Sequence, residues 1–204
     1  MRIEALEKAE KGTNRYTVRF EDGAEIKVSA VQIADFGLYS GREMADDEYA
    51  ELLEALQQNA SRSRAMRILS SRSISSREME KRLVSRGDSA ETARDTLEWL
   101  EGAGLLNDEQ LAESIVRYYS SKGFGPAKIK NELFRRGIQR EQLENAMENR
   151  TTDETAVNDL IAKKLQGSRD EAEIKKVTAY LYKRGFRYED AHLAVSRFLE
   201  EIDD

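Results

Sequence analysis

Between residues 15 and 28 apolar and polar side chains alternate strictly. Tyr16, Val18 and Phe20 stand in one run, Asp22-Gly23 follows, and Ala24, Ile26 and Val28 stand in the next. A period of two on either side of an Asp-Gly pair predicts a β-hairpin. Residues 3–8 alternate more weakly and are expected to add a third strand. A lone hairpin is marginal in water, so this unit should pack on the helix after it. Past residue 29 the period becomes that of a helix and stays so. Residues 29–36 predict a short helix stopped by Gly37. Asp46 and Asp47 then cap a longer one whose buried stripe is Tyr49, Leu52, Leu53 and Leu56.

From residue 61 the pattern repeats. Three glycines each follow an arginine, at Gly87, Gly137 and Gly185, separated by 50 and 48 residues. Four residues before them stand Leu83, Leu133 and Leu181; eight before stand Met79, Ile129 and Val177. Six after stand Ala93, Leu143 and Ala191; ten after stand Leu97, Met147 and Val195. These offsets predict two helices meeting at each glycine, both turning an apolar stripe inward. A further helix precedes each pair, at 64–72, 108–121 and 153–165. Capping-box pairs mark helix starts at Ser75 with Glu78, Asp88 with Glu91, Thr151 with Glu154, and Ser168 with Glu171.

The central copy is the clearest. Asn107 caps a helix that opens with Asp108 and Glu109, where acids oppose the dipole. Gly123, Gly125 and Pro126 stop it, and Pro126 opens the next helix at its first position. Ile129, Leu133 and Phe134 are expected as that helix's buried stripe, and Gly137 as its left-handed end. The fold class expected is therefore mainly α: an elongated tandem array of three three-helix repeats with a small N-terminal β-hairpin unit. The divisions fall at 1–40 (hairpin unit), 41–61 (connecting helix), 62–103, 104–150 and 151–204 (repeats). Neighbouring repeats with so few large apolar residues should support one another.

Charge follows the same period. Residues 62–86 carry eight basic and two acidic groups, and 88–113 carry one and eight. Residues 115–140 carry seven against one, a net of +6 in a chain whose total is -6. Residues 163–187 carry eight against three, and 188–204 close with a net of -5. Basic charge thus leads into each glycine and acidic charge leaves it.

The 204-residue chain has no cysteine, which excludes disulfides and thiolate chemistry. No apolar run approaches the roughly 20 residues that span a bilayer, so a soluble, cytoplasmic protein without a membrane partner is expected. His192, the single histidine, falls at a polar position, so neither a zinc cluster nor a Ser-His-Asp triad can be assembled. No catalytic residue, metal ligand or cofactor is assigned, and an enzyme is not expected. Trp99 reads as a packing residue. Of Tyr118 and Tyr119, one must face the core while the other could stack on a base. An autonomous helix-turn-helix DNA binder is the alternative reading, opposed by the acidic helix after each glycine.

Taken together, these residues resemble the RecX family, regulators of the RecA recombinase. The match runs through Gly104-Leu-Leu-Asn107-Asp108-Glu109, Ala112, Val116-Arg117, Gly123-Phe-Gly125-Pro126, Ile129, Glu132-Leu133 and Arg136-Gly137. Leu69, Arg72, Ser75, Glu78-Met79, Arg82-Leu83 and Gly87 repeat it, with departures at Ser73-Ile74 and Asp88. The resemblance implies a non-enzymatic protein that binds in the groove of the RecA–DNA filament and inhibits it. Its expected partners are the RecA filament and single- or double-stranded DNA, with a monomer as the binding species. The basic set expected to attract DNA phosphates or acidic RecA surface is Arg82, Arg86, Arg117, Lys122, Lys128, Lys130, Arg135, Arg136, Lys183 and Arg184. Gly87, Gly137 and Gly185 are expected as structural turns.

Overall fold

The computed structural model describes residues 1–8 and 15–201. The N-terminal unit is a three-stranded antiparallel sheet in the order β1 (Ile3–Lys8), β2 (Arg15–Phe20), β3 (Glu25–Ser29). The weaker strand therefore joins the hairpin, with Leu6 opposite Val18 and Tyr16 opposite Val28. Gly23 turns at positive φ between β2 and β3. Ser29 caps α1 (Ala30–Asp35) by accepting from the Gln32 N–H, and Gln32 reaches back to the Ser29 N–H. Ile3, Val18, Phe20 and Val28 bury their side chains with Leu38, Met44 and Leu52. The period-two face thus closes on the helix that follows, α2.

That helix runs from Asp46 to Leu69, 24 residues without a break. The separate helices expected at 46–61 and 64–72 are one. The polar stretch Gln57–Ser63 has no apolar stripe, but it also has no glycine or proline to stop the chain. Leu52 sits in the N-terminal core, while Ala65 and Ile68 sit in the next.

Three groups of three helices follow, each with its own core. The first joins the end of α2 to α3 (Ser76–Val84) and α4 (Ala90–Gly102) around Met79, Leu83, Ala93 and Leu100. The second joins α5 (Asp108–Ser121), α6 (Pro126–Arg136) and α7 (Arg140–Glu148) around Leu111, Ile115, Ile129 and Leu133. The third joins α8 (Glu154–Leu165), α9 (Glu171–Lys183) and α10 (Tyr188–Glu201) around Ile161, Val177, Leu181 and Val195. All six residues expected four and eight places before the glycines are buried. After the glycines the agreement is looser, since Leu97, Leu143 and Met147 are only half-buried. Gly87, Gly137 and Gly185 have φ of +97°, +80° and +98°, the left-handed ends expected of them.

Some local expectations are corrected. Phe134 is not in the buried stripe: it is 74% exposed, because α6 turns Ile129, Glu132 and Leu133 inward and leaves Phe134 on the flank. Asp88 does not cap α4; Ser89 does, accepting from Thr92 N–H. Asp88 is instead buried against Arg64 and accepts from the Ser61 hydroxyl at 3.0 Å. Asp153 and Asp170, each standing directly before its helix, cap α8 and α9 in place of Thr151 and Ser168.

Candidate functional site

The ten basic residues lie on or beside the second and first helices of the repeats, and the structure divides them by what surrounds each. Arg135 and Arg136 both turn onto Glu132: Arg135 donates to it at 2.7 and 2.9 Å, and Arg136 donates at 2.9 Å. Glu132 is buried, and the hydrogen bonds from Arg135 above all hold its carboxyl below the ordinary glutamate range. Arg82 pairs with Glu78, which also takes Arg72, and Arg117 pairs with Glu113 at 3.2 Å. These four arginines keep part of their charge at the surface but are partly neutralised within their own helices.

Arg184 has a different setting. Its Nε donates to the Gly123 carbonyl at 2.9 Å, another nitrogen donates to the Lys122 carbonyl, and Nη1 donates to the Tyr180 hydroxyl at 3.1 Å. The guanidinium carbon lies 3.9 Å from the centroid of the Phe124 ring. The contacts with Lys122, Gly123 and Phe124 join the third repeat to the second, while the one with Tyr180 braces the side chain from its own helix. The remaining five, Arg86, Lys122, Lys128, Lys130 and Lys183, are exposed and enter no ion pair among the described residues. Lys122 places its ammonium 5.9 Å from the Tyr118 ring centroid.

The repeats also share an exposed apolar position that periodicity alone did not single out. Val84, Phe134 and Tyr182, each three residues before its glycine, are all exposed. Their common offset was the available signal; it was masked because such residues read as core by type. Tyr119 packs inward beside Phe124 and Tyr118 stays exposed, so the pair splits as helical geometry requires.

The repeats also cap one another. The Ser76 N–H donates to the Asp108 carboxylate at 2.8 Å, and the Ser75 hydroxyl donates to the Arg136 carbonyl. Burial pushes the Asp108 carboxyl above its ordinary range, against the pull of that N–H. At the next junction the Gly125 and Ala127 N–H groups donate to the carbonyls of Arg184 and Gly185 at 2.9 and 3.0 Å. Among the described residues no group of three or more acidic or histidine side chains is placed to hold a metal ion, and no helix is long and apolar enough to cross a membrane.

A family model described as RecX, second three-helix domain, matches residues 107–147, which is α5 to α7. The regulatory protein RecX of Pseudomonas putida strain GB-1 is 34% identical over 130 residues, covering 62% of this chain and 83% of that relative. This chain belongs to the RecX family. The RecX of Caldanaerobacter subterraneus subsp. tengcongensis is 24% identical but aligns over 96% of this chain and 99% of its own. That alignment takes in the N-terminal sheet as well as the repeats. Among solved structures, a regulatory protein RecX matches with a TM-score of 0.72 at 22% identity, covering 96% of this chain and 98% of that one. RecX from Lactobacillus salivarius matches with a TM-score of 0.63 at 24% identity, covering 73% and 98%. The mainly α fold of tandem three-helix units is thus a RecX fold, and the chain belongs to a family of regulatory proteins.

Proposed function

We propose that this chain is a non-enzymatic regulator that binds the RecA–DNA filament and lowers its recombinase and ATPase activity, acting as a cytoplasmic monomer in the control of DNA repair. Membership of the RecX family carries the reading. It is supported by the exposed Lys128 and Lys130 on α6, which enter no ion pair among the described residues, and by the exposed Arg86 and Lys183 just before the glycines of the first and third repeats. The exposed Val84, Phe134 and Tyr182 suit a partner that is itself part protein. Arg184 serves the junction between repeats, so the attraction falls to the cations left free.

The experiment is a titration into RecA filaments on single-stranded DNA, reading ATP hydrolysis and strand exchange. The parent should inhibit both. Lys128→Glu combined with Lys130→Glu should bind several-fold more weakly at low salt, mainly through slower association. The deficit should shrink as salt rises, because screening has already removed the attraction. Melting should change by less than about 0.5 kcal/mol, as for surface positions generally. Inhibition unchanged by the double reversal at low salt would move the contact elsewhere. Tight binding to naked duplex would instead favour an autonomous DNA binder.

A further inference from the structure

The N-terminal unit and the first repeat enclose a second basic surface, apart from the cations that lead into the repeat glycines. Arg15 and Lys27 lie on the outer face of the sheet, one step apart across the β2–β3 pairing, where Arg15 faces Ser29 and Thr17 faces Lys27. Arg62, on α2, holds its guanidinium carbon 5.1 Å from the centroid of the Trp99 ring on α4. With Val31 and Met66 these side chains line a concave groove of about 800 Å³.

The groove's charge is one-sided. No lining residue is acidic, and Arg15, Lys27 and Arg62 enter no ion pair among the described residues. On the same sheet face Arg19 is already paired with Glu25. In a chain of net charge -6, three uncompensated cations around one hollow leave their N–H donors open to an anion. Yet the wall between them is apolar: Val31 is 66% and Met66 42% exposed. Neither belongs to a core cluster, and both line the hollow beside the cations, which suits a ligand charged along one edge and apolar along the other.

We infer that this groove binds single-stranded nucleic acid, with Arg15, Lys27 and Arg62 on the phosphates and the Arg62–Trp99 pair, Val31 and Met66 against the bases. Cations tracking a backbone beside an aromatic and apolar platform are what an unpaired strand requires. A duplex turns its bases inward and offers that wall nothing. An acidic peptide would satisfy the cations but has no flat apolar edge to set against the platform. The inference goes beyond the filament reading and does not rest on it, since the ligand is a free strand and the cations are other ones.

Trp99 is the only tryptophan of the chain, so its emission reports the groove directly. Titration with a short oligothymidylate should quench that emission saturably, with anisotropy of the labelled strand giving the affinity independently. Three phosphate contacts on a single strand imply a slope of log K against log salt of about -2. Arg15→Glu with Lys27→Glu, both at exposed positions, should lower affinity by about tenfold or more and bring the slope below about 1 in magnitude. Circular dichroism should remain that of the parent. The inference is overturned if emission is unmoved while anisotropy shows the double variant binding like the parent. It is equally overturned if polyglutamate binds and oligothymidylate does not, or if duplex binds as tightly as single strand. The same variant in the RecA filament titration separates the two readings: loss of oligonucleotide binding with inhibition retained leaves the filament reading standing, and inhibition lost by the Lys128 and Lys130 reversal alone leaves the groove standing.

Discussion

The two junctions between repeats use equivalent positions in opposite ways. Ser75 and Gly125 stand 50 residues apart at the start of α3 and α6, and Gly137 and Gly185 stand 48 apart at the ends of α6 and α9. At the first junction side chains do the joining: the Ser75 hydroxyl reaches the Arg136 carbonyl, and Asp108 receives the Ser76 N–H. At the second, backbone meets backbone. A Cβ on Gly125 would lie 2.3 Å from the Gly185 carbonyl carbon, and one on Gly185 would lie 2.5 Å from the Lys128 nitrogen. Arginine follows the same division. Arg136 folds back on Glu132 in its own helix, whereas Arg184 crosses to the carbonyls of Lys122 and Gly123. A repeat can therefore keep its topology while exchanging a joint that yields for one that cannot. In the third repeat the start of α9 is capped locally, by Asp170 accepting from the Ala172 N–H.

The sharpest way to break the second junction is Gly125→Ala. The methyl group has only backbone to displace, so the loss should be about 3 kcal/mol or more, read by denaturant unfolding. A variant that unfolds like the parent would show that the two backbones are not in contact. Gly185→Ala against Gly137→Ala makes the comparison direct. Both carry a left-handed cost of about 1 kcal/mol or more. At Gly137 the new methyl group meets only the flexible Arg77 side chain. Gly185→Ala should therefore be the more damaging, and equal losses would erase the distinction drawn between the joints.

Arg184→Ala removes donors to the carbonyls of Lys122 and Gly123 and the stack on Phe124. It should cost about 2 kcal/mol, in the range of hydrogen bonds made by charged groups. Ser75→Ala, which takes away a cap and one inter-repeat bond, should cost about 1 kcal/mol. The smallest effect is one of pH. Glu132 has its folded pKa lowered, so its contribution is complete above the unfolded glutamate range and is lost as pH falls through the folded value. Glu132→Gln should thus melt below the parent at pH 7 and approach it on acidification. A gap that widened in acid would reverse the sign.

Much of this was legible from spacing. Leu83, Leu133 and Leu181 share one offset because each must face a core, and the Pro126 start and the Gly137 end follow from local backbone chemistry. The joints were not legible. Gly125 reads as a helix stop whether or not a second backbone lies against it, since glycine carries no side chain to distinguish the two roles. Phe134 misled for the opposite reason: its residue type suggests burial, whereas its angular position beside Leu133 puts it outside. The grouping of Arg15, Lys27, Arg62 and Trp99 depends on α2 folding back along the sheet, which no local pattern encodes. For the basic segments, composition gave seven cations in the central stretch, but only the contacts separate Arg184 from Lys128.

The unbroken α2 has a mechanical consequence. At 1.5 Å per residue its 24 residues form a strut of roughly 36 Å, clamped at one end by Leu52 and at the other by Ala65 and Ile68. Such a shaft transmits torque. Inserting a single alanine within its polar middle, at 57–60, would turn the sheet by about 100° about the shaft relative to the repeats. Neither hydrophobic core need be altered, yet Arg62 and Trp99 would be carried out of phase with Arg15 and Lys27.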